Sequence, residues 1–123
     1  MNPEQLNGAN LAFIGDAYFE LYIRDYCIHK GITSTKKLHD ATVKYVSRQA
    51  QYQLACLMQD KFTAVEKDIF LRGRNYHYKE KSQEYIHASG LEAVIGFLYL
   101  TKQEKRLGEM MEQIIALTED LHG

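Results

Sequence analysis

The chain has 123 residues, is 46% hydrophobic, 25% charged and 11% aromatic, and carries a formal net charge of −1. That length suits one domain built on one core, and that composition excludes disordered, collagenous and disulfide-stapled chains. The longest nearly uncharged stretch, 93–101, falls far short of the roughly 20 apolar residues that cross a bilayer, and Met1-Asn2-Pro3-Glu4 begins no basic, apolar leader, so a cytosolic protein without a membrane partner is expected.

The sole proline is Pro3, which leaves the rest of the chain free to form helices. Leu11, Ile14, Tyr18, Leu21, Tyr22, Cys27 and Ile28 recur near the helical period and predict an amphipathic helix from about Leu6 to Lys30, ended by Gly31. Ser34 or Thr35 caps a second helix, in which Leu38, Thr42, Tyr45 and Val46 share a face. Ser47 caps a third, running to about Asp60. Its Tyr52, Leu54, Cys56, Leu57 and Met58 are apolar on nearly all sides, as in a helix crossing the centre of a domain. Thr63-Ala-Val-Glu66 reads as a capping box opening a fourth helix towards Arg72. Residues 75–82 have no apolar period and read as a loop, after which Ser82 caps a deeply buried helix carrying Leu91, Val94, Ile95, Leu98 and Tyr99. A final helix presents Leu107, Met110, Met111, Ile114, Ile115 and Leu117. No stretch sustains a period of two, so the expected fold class is all-α, with about six helices.

Cys27 and Cys56 lie in apolar periodic segments without metal-ligand spacing and read as buried thiols. The five histidines show no i, i+4 pair, so zinc is not expected. Charge is unevenly distributed. Residues 1–32 carry −2, residues 33–81 carry +5 from ten basic and five acidic side chains, and residues 82–123 carry −4. A basic segment between acidic ends serves either as a phosphate-binding patch or as an ordinary solvated helical surface.

The informative anomalies are two carboxylates in apolar helical stretches, because an unpaired buried carboxylate costs several kcal/mol. Asp16 lies in Phe13-Ile14-Gly15-Asp16-Ala17-Tyr18, and Glu92 in Ser89-Gly90-Leu91-Glu92-Ala93-Val94-Ile95-Gly96. Gly15 and Gly96 mark places where another helix or a ligand comes close to the backbone. Either the carboxylates pair with buried Arg or Lys, or both converge on a divalent cation, and magnesium suits such an oxygen site.

Phe13-Ile14-Gly15-Asp16-Ala17 resembles the signature motif of the ribonuclease III catalytic domain, and 91–100 resembles that family's second carboxylate motif. The short chain, without an appended double-stranded-RNA-binding domain, and the element Leu71-Arg72-Gly73-Arg74-Asn75 are similar to the Mini-ribonuclease III branch. The resemblance spans roughly Leu6 to Leu117. It implies an all-α catalytic domain over 1–123, acting as a dimeric, magnesium-dependent endonuclease on double-stranded RNA. In the branch, the substrate is the precursor of bacterial 23S ribosomal RNA, and a ribosomal protein that shapes it is a candidate partner. Carried over by position, Asp16 and Glu92 are the catalytic, metal-binding carboxylates, and Phe13 is a dimer-interface residue. Two further carboxylates of the larger enzymes are replaced here by Ala12 and Ser89, as in the Mini branch, leaving water, phosphate oxygens and the Ser89 hydroxyl to complete the metal's surroundings. The 75–82 loop is also shorter than expected for the branch.

On this reading the RNA is gripped by the basic middle segment: Lys36, Lys37, Lys44, Arg48, Arg72, Arg74, Lys79 and Lys81, with Asn75 beside the arginines. An A-form duplex is read by phosphates, 2′-hydroxyls and shape. The alternative for Arg72 and Arg74 is to complement a helix C-terminus. Tyr76 and Tyr78 either touch sugar edges or cover the core, and Glu20 either supports the metal site or pairs with Arg24. Tyr18, Tyr22 and Tyr26 read as core or interface. Two rivals remain: a catalytically silent RNA-binding module on the same fold, and a helical protein-interaction domain.

Overall fold

A computed structural model describes residues 1–123 as six α-helices: α1 Gly8–His29, α2 Thr35–Val46, α3 Arg48–Met58, α4 Ala64–Arg74, α5 Gln83–Leu100 and α6 Glu104–His122. Short 3₁₀ turns at Pro3–Gln5 and Gln59–Lys61 precede α1 and follow α3. The expected all-α class is therefore observed, with the helix starts set by local side-chain chemistry. Asn7, Ser34, Ser47, Thr63 and Ser82 each accept a hydrogen bond from a backbone N–H of the first turn that follows. Thr63 and Glu66 form the reciprocal capping box read from the sequence. Gly31, at φ +91°, takes the left-handed conformation just beyond the end of α1.

The central helix is α5, which packs against α1, α3, α4 and α6. Every residue of 88–98 is buried except Glu92. Leu91, Val94, Ile95 and Leu98 meet Leu11, Phe19 and Ile23 of α1, Leu54 and Met58 of α3, Phe70 of α4 and Met110, Met111 and Ile114 of α6 in one contiguous core. Each such fully buried large side chain contributes about 1.5–3 kcal/mol relative to exposure.

Three expectations are corrected. The helix crossing the centre is α5 and not α3, whose Cys56 and Leu57 are exposed while Leu54, Ala55 and Met58 face inward. The apolar look of α3 came from residues serving two faces, and only one of these is covered. Cys27 is a buried thiol as expected, but Cys56 is not. On α1 the inward stripe is Leu11, Gly15, Phe19, Ile23 and Cys27, whereas Leu21 and Ile28 point to solvent. These two share an outward face with Phe13, which is 81% exposed. The helix thus carries a second apolar stripe that the protomer's own core leaves uncovered. Tyr18, Tyr22 and Tyr26 lie between the stripes, half-buried against the core.

A buried ion pair fastens α6 to α4. Arg106 donates from Nε to Glu66 Oε2 at 2.8 Å and from Nη2 to Glu66 Oε1 at 2.9 Å, and also to the Lys61 carbonyl at 3.0 Å. Burial raises the pKa of Glu66, but the Arg106 hydrogen bonds and the Thr63 backbone N–H outweigh it and leave the carboxyl below its ordinary value.

Candidate active site

Where α1 crosses α5 the two backbones nearly touch. A Cβ on Gly15 would overlap the Glu92 carbonyl oxygen, and one on Gly96 would overlap the Leu11 carbonyl oxygen. Only glycine permits this separation, which answers why α1 carries Gly15 and α5 carries Gly96 at the crossing. Asp16 follows the first glycine directly, and Glu92 lies one turn before the second. The crossing therefore sets both carboxylates on the wall of one cleft of about 300 Å³, also lined by Val46, Arg48, Gln51, Tyr85, Ala88 and Ser89.

The carboxylates interact. Burial and the adjacent Asp16 carboxylate push Glu92 up to about 9, while Gln51 and Arg48 work more weakly in the opposite direction. Two acids this close resist carrying full charge together unless a cation joins them. No third carboxylate, histidine or cysteine gathers with them, and no group of three such side chains occurs anywhere in the protein. Ser89 is buried and lines the cleft with its hydroxyl-bearing side chain.

Arg48 and Gln51 are placed by the Ser47 cap, whose Oγ accepts from Ala50 N at 3.2 Å and starts α3 at the cleft. The Arg48 guanidinium donates to Glu80 at 2.9 Å and lies 4.3 Å from the centre of the Tyr85 ring. It thereby ties the 75–82 loop to the mouth of the cleft. Gln51 is buried, and its Nε2 donates to the Val46 carbonyl at 3.0 Å.

The other basic residues lie outside the cleft. Arg72 donates from Nη1 to the carbonyls of Glu4 at 2.7 Å and Leu6 at 3.1 Å, pinning the N-terminal turn. Arg74 donates to Asn75 Oδ1 at 3.1 Å, and both arginines occupy the last turn of α4, where their charge also complements the helix dipole. Lys36 pairs with Asp40 across one helical turn, and Lys37, Lys79 and Lys81 are exposed. Tyr78 is half-buried, donates to the Gly73 carbonyl at 2.8 Å and packs at a tilt against Tyr76 and edge-to-face against Tyr85, so it braces the loop. Glu20 accepts from Arg24 at 3.0 Å, the pairing that the sequence offered as one of its two roles.

Sequence reasoning set Arg48 among the general phosphate-binding residues and passed over Gln51 and Tyr85. A glutamine one turn into a capped helix carries no motif. The signal that singles it out is burial, which only tertiary structure supplies.

A model of the ribonuclease III domain matches residues 9–103. Proteins named Mini-ribonuclease 3 are similar along nearly their whole length. The one from Staphylococcus aureus is 44% identical over 122 residues, covering 94% of this chain and 91% of that protein. The one from Streptococcus pneumoniae is 40% identical over 121 residues, covering 93% and 94%. Among solved structures, the crystal structure of a Fusobacterium nucleatum protein superposes with a TM-score of 0.80 at 28% identity, covering 91% of this chain and 93% of that one.

Proposed function

Because the chain belongs to the ribonuclease III family, in its Mini-ribonuclease 3 branch, we propose that it is a magnesium-dependent endoribonuclease that cuts double-stranded RNA as a cytoplasmic homodimer, with the 23S ribosomal RNA precursor as its substrate. Residues 1–123 act as one catalytic unit. The observation that carries this reading is the glycine crossing of α1 and α5, which brings the two motif carboxylates to one cleft.

The residues present fit magnesium. Asp16, Glu92 and Ser89 offer only oxygen, and two carboxylates leave room for the waters that this ion retains. Burial first and the Asp16 carboxylate second raise the pKa of Glu92, and a cation held between the two acids would favour its charged form. When bound there, the ion supplies positive charge against the phosphate oxygens and makes water a competent nucleophile near neutral pH.

The chain's own residues do the rest. Asp16 and Glu92 hold the ion at the cleft wall, and no protein nucleophile is needed. Arg48, held at the mouth of the cleft by Glu80 and Tyr85, presents guanidinium donors where a phosphate enters. Arg72, Arg74, Asn75, Lys36, Lys37, Lys79 and Lys81 grip the duplex by its phosphates beyond the cleft, which suits recognition by shape. Phe13, Leu21 and Ile28 form the outward apolar stripe through which two copies pair. A twofold pair repeats the cleft, giving one cut on each strand.

The deciding experiment incubates the protein, and Asp16→Asn beside it, with an end-labelled RNA duplex and a 23S precursor stem, with and without magnesium. Cuts on both strands that need magnesium and vanish in the variant are expected. Duplex binding without cleavage of either RNA would make the chain a silent RNA-binding module.

A further inference from the structure

Gln51 has one amide atom accounted for and one left over. The atom 3.0 Å from the Val46 carbonyl must be the Nε2 donor, because an oxygen there would face another oxygen, and this fixes the orientation of the amide. The Oε1 is then a buried acceptor without a donor, one of two such side-chain atoms in the protein. The other, Gln113 Oε1, belongs to a half-exposed side chain of α6, away from the cleft. Gln51 is only 4% exposed, so bulk water does not compensate it. Leaving a buried acceptor unpaired costs about 1–3 kcal/mol, and such atoms concentrate where a ligand completes them.

The surroundings indicate which ligand. Gln51 shares the cleft with Asp16, Glu92 and Ser89, all of them oxygen-bearing. A neutral amide oxygen beside two carboxylates is a donor type that magnesium and manganese accept. It adds an oxygen without adding a third negative charge to a pair that already repels.

We propose that Gln51 is a further oxygen-bearing side chain of the divalent-cation site, beside Asp16, Glu92 and Ser89, with its Oε1 turned to the cation and the water it carries, so that the neutral amide takes the place of a further acid. The inference rests on the reading of Asp16 and Glu92 as the cation's carboxylates. In it, the bond from Nε2 to Val46 is the hinge pin: the α2–α3 junction aims the amide, and the cation uses its free end.

The test measures manganese binding by calorimetry, without RNA, for the unaltered protein, Asp16→Asn, Gln51→Leu and Gln51→Glu, with thermal melts by circular dichroism to confirm folding. Asp16→Asn is expected to abolish binding. Gln51→Leu is expected to weaken it by about tenfold or more, as losses around metal ligands do. Gln51→Glu keeps an oxygen but loses the Nε2 donor to Val46, and it is expected to bind manganese at least as tightly as the unaltered protein. A purely structural clamp would behave otherwise, because both Gln51 variants break the bond to Val46 and would fall together. A folded Gln51→Leu protein that keeps the original affinity overturns the proposal, as does a Gln51→Glu protein that binds as weakly as Gln51→Leu. Should Gln51→Leu not fold, Gln51→Glu decides alone: affinity equal or higher supports the proposal, and lower overturns it. If manganese fails to bind the unaltered protein, or binds Asp16→Asn just as well, the carboxylate reading itself fails and the role of Gln51 falls with it.

Discussion

Gly15 and Gly96 face each other across the α1–α5 crossing: a Cβ on Gly15 would stand 2.8 Å from the Gly96 backbone nitrogen. The neighbours of these glycines, Asp16 on one helix and Glu92 on the other, share a cleft because of that contact. Backbone proximity here is a requirement of the site as well as of the packing.

Gly96→Ala therefore tests packing and site together. The added methyl raises helix propensity by about 1 kcal/mol, but overlap with the Leu11 carbonyl oxygen forces the helices apart at a cost of about 1–3 kcal/mol. Overlap with backbone wins, because backbone cannot rotate aside. The expected result is a lower melting temperature, and a cleavage rate that falls further than the fraction unfolded explains.

Glu92→Gln replaces the carboxyl with a neutral amide of the same shape. Cleavage is expected to drop at least about a hundredfold, equivalent to a few kcal/mol of transition-state stabilisation. The melting temperature in a chelator is expected to hold or rise. A fall in both would instead mark Glu92 as a structural residue.

The Glu66–Arg106 pair gives the protein an acid-sensitive fastening. The folded carboxyl sits below its ordinary 4.5, so the unfolded chain takes up the proton first as pH falls. The pair's contribution is thus complete above the unfolded value and is lost as pH drops through the folded one. Arg106→Leu leaves Glu66 buried and uncompensated and is expected to cost about 3 kcal/mol at pH 7, near the low end for such pairs because Arg106 is 22% exposed. Urea denaturation at pH 7 and below pH 4 checks both statements: the difference between the variant and the unaltered protein should shrink in acid.

Phe13→Asp is expected to leave the protomer's stability within about 0.5 kcal/mol, since the ring is 81% exposed. The same change places a charge on the outward apolar stripe that Phe13 begins. Sedimentation should show a dimer for the unaltered protein and a monomer for the variant, at equal melting temperature when extrapolated to low concentration.

Lys79→Ala and Lys81→Ala, away from the cleft, are expected to weaken duplex binding without abolishing cleavage at saturating RNA. Each phosphate contact removed should lower the slope of log affinity against log salt by about 1. Unchanged slopes would remove these lysines from the RNA surface.

Much of this was legible in the sequence because it is local. Cap residues act on amides within three positions, so Ser47, Thr63 and Ser82 announced three helix starts that the structure places at the same residues, and of Ser34 and Thr35, both offered for a fourth, the structure takes Ser34. Asp16 and Glu92 stood out because a carboxylate within an apolar run demands an explanation, and their flanking glycines hinted at close approach. What sequence could not decide was which apolar face is covered. Leu21 and Phe19 are equally hydrophobic and two positions apart, yet one is 68% exposed and the other 1%. The periodic set read from the sequence took Leu21 and passed over Phe19, and only the position of α5 chooses between them. The same holds for Cys56, and most of all for Gln51, a polar residue without a motif whose significance lies in its burial beside two acids from other helices. Periodicity and capping depend on neighbours along the chain and determined the helices. Burial and the meeting of α1, α3 and α5 depend on neighbours across it, and only the packed structure settled those.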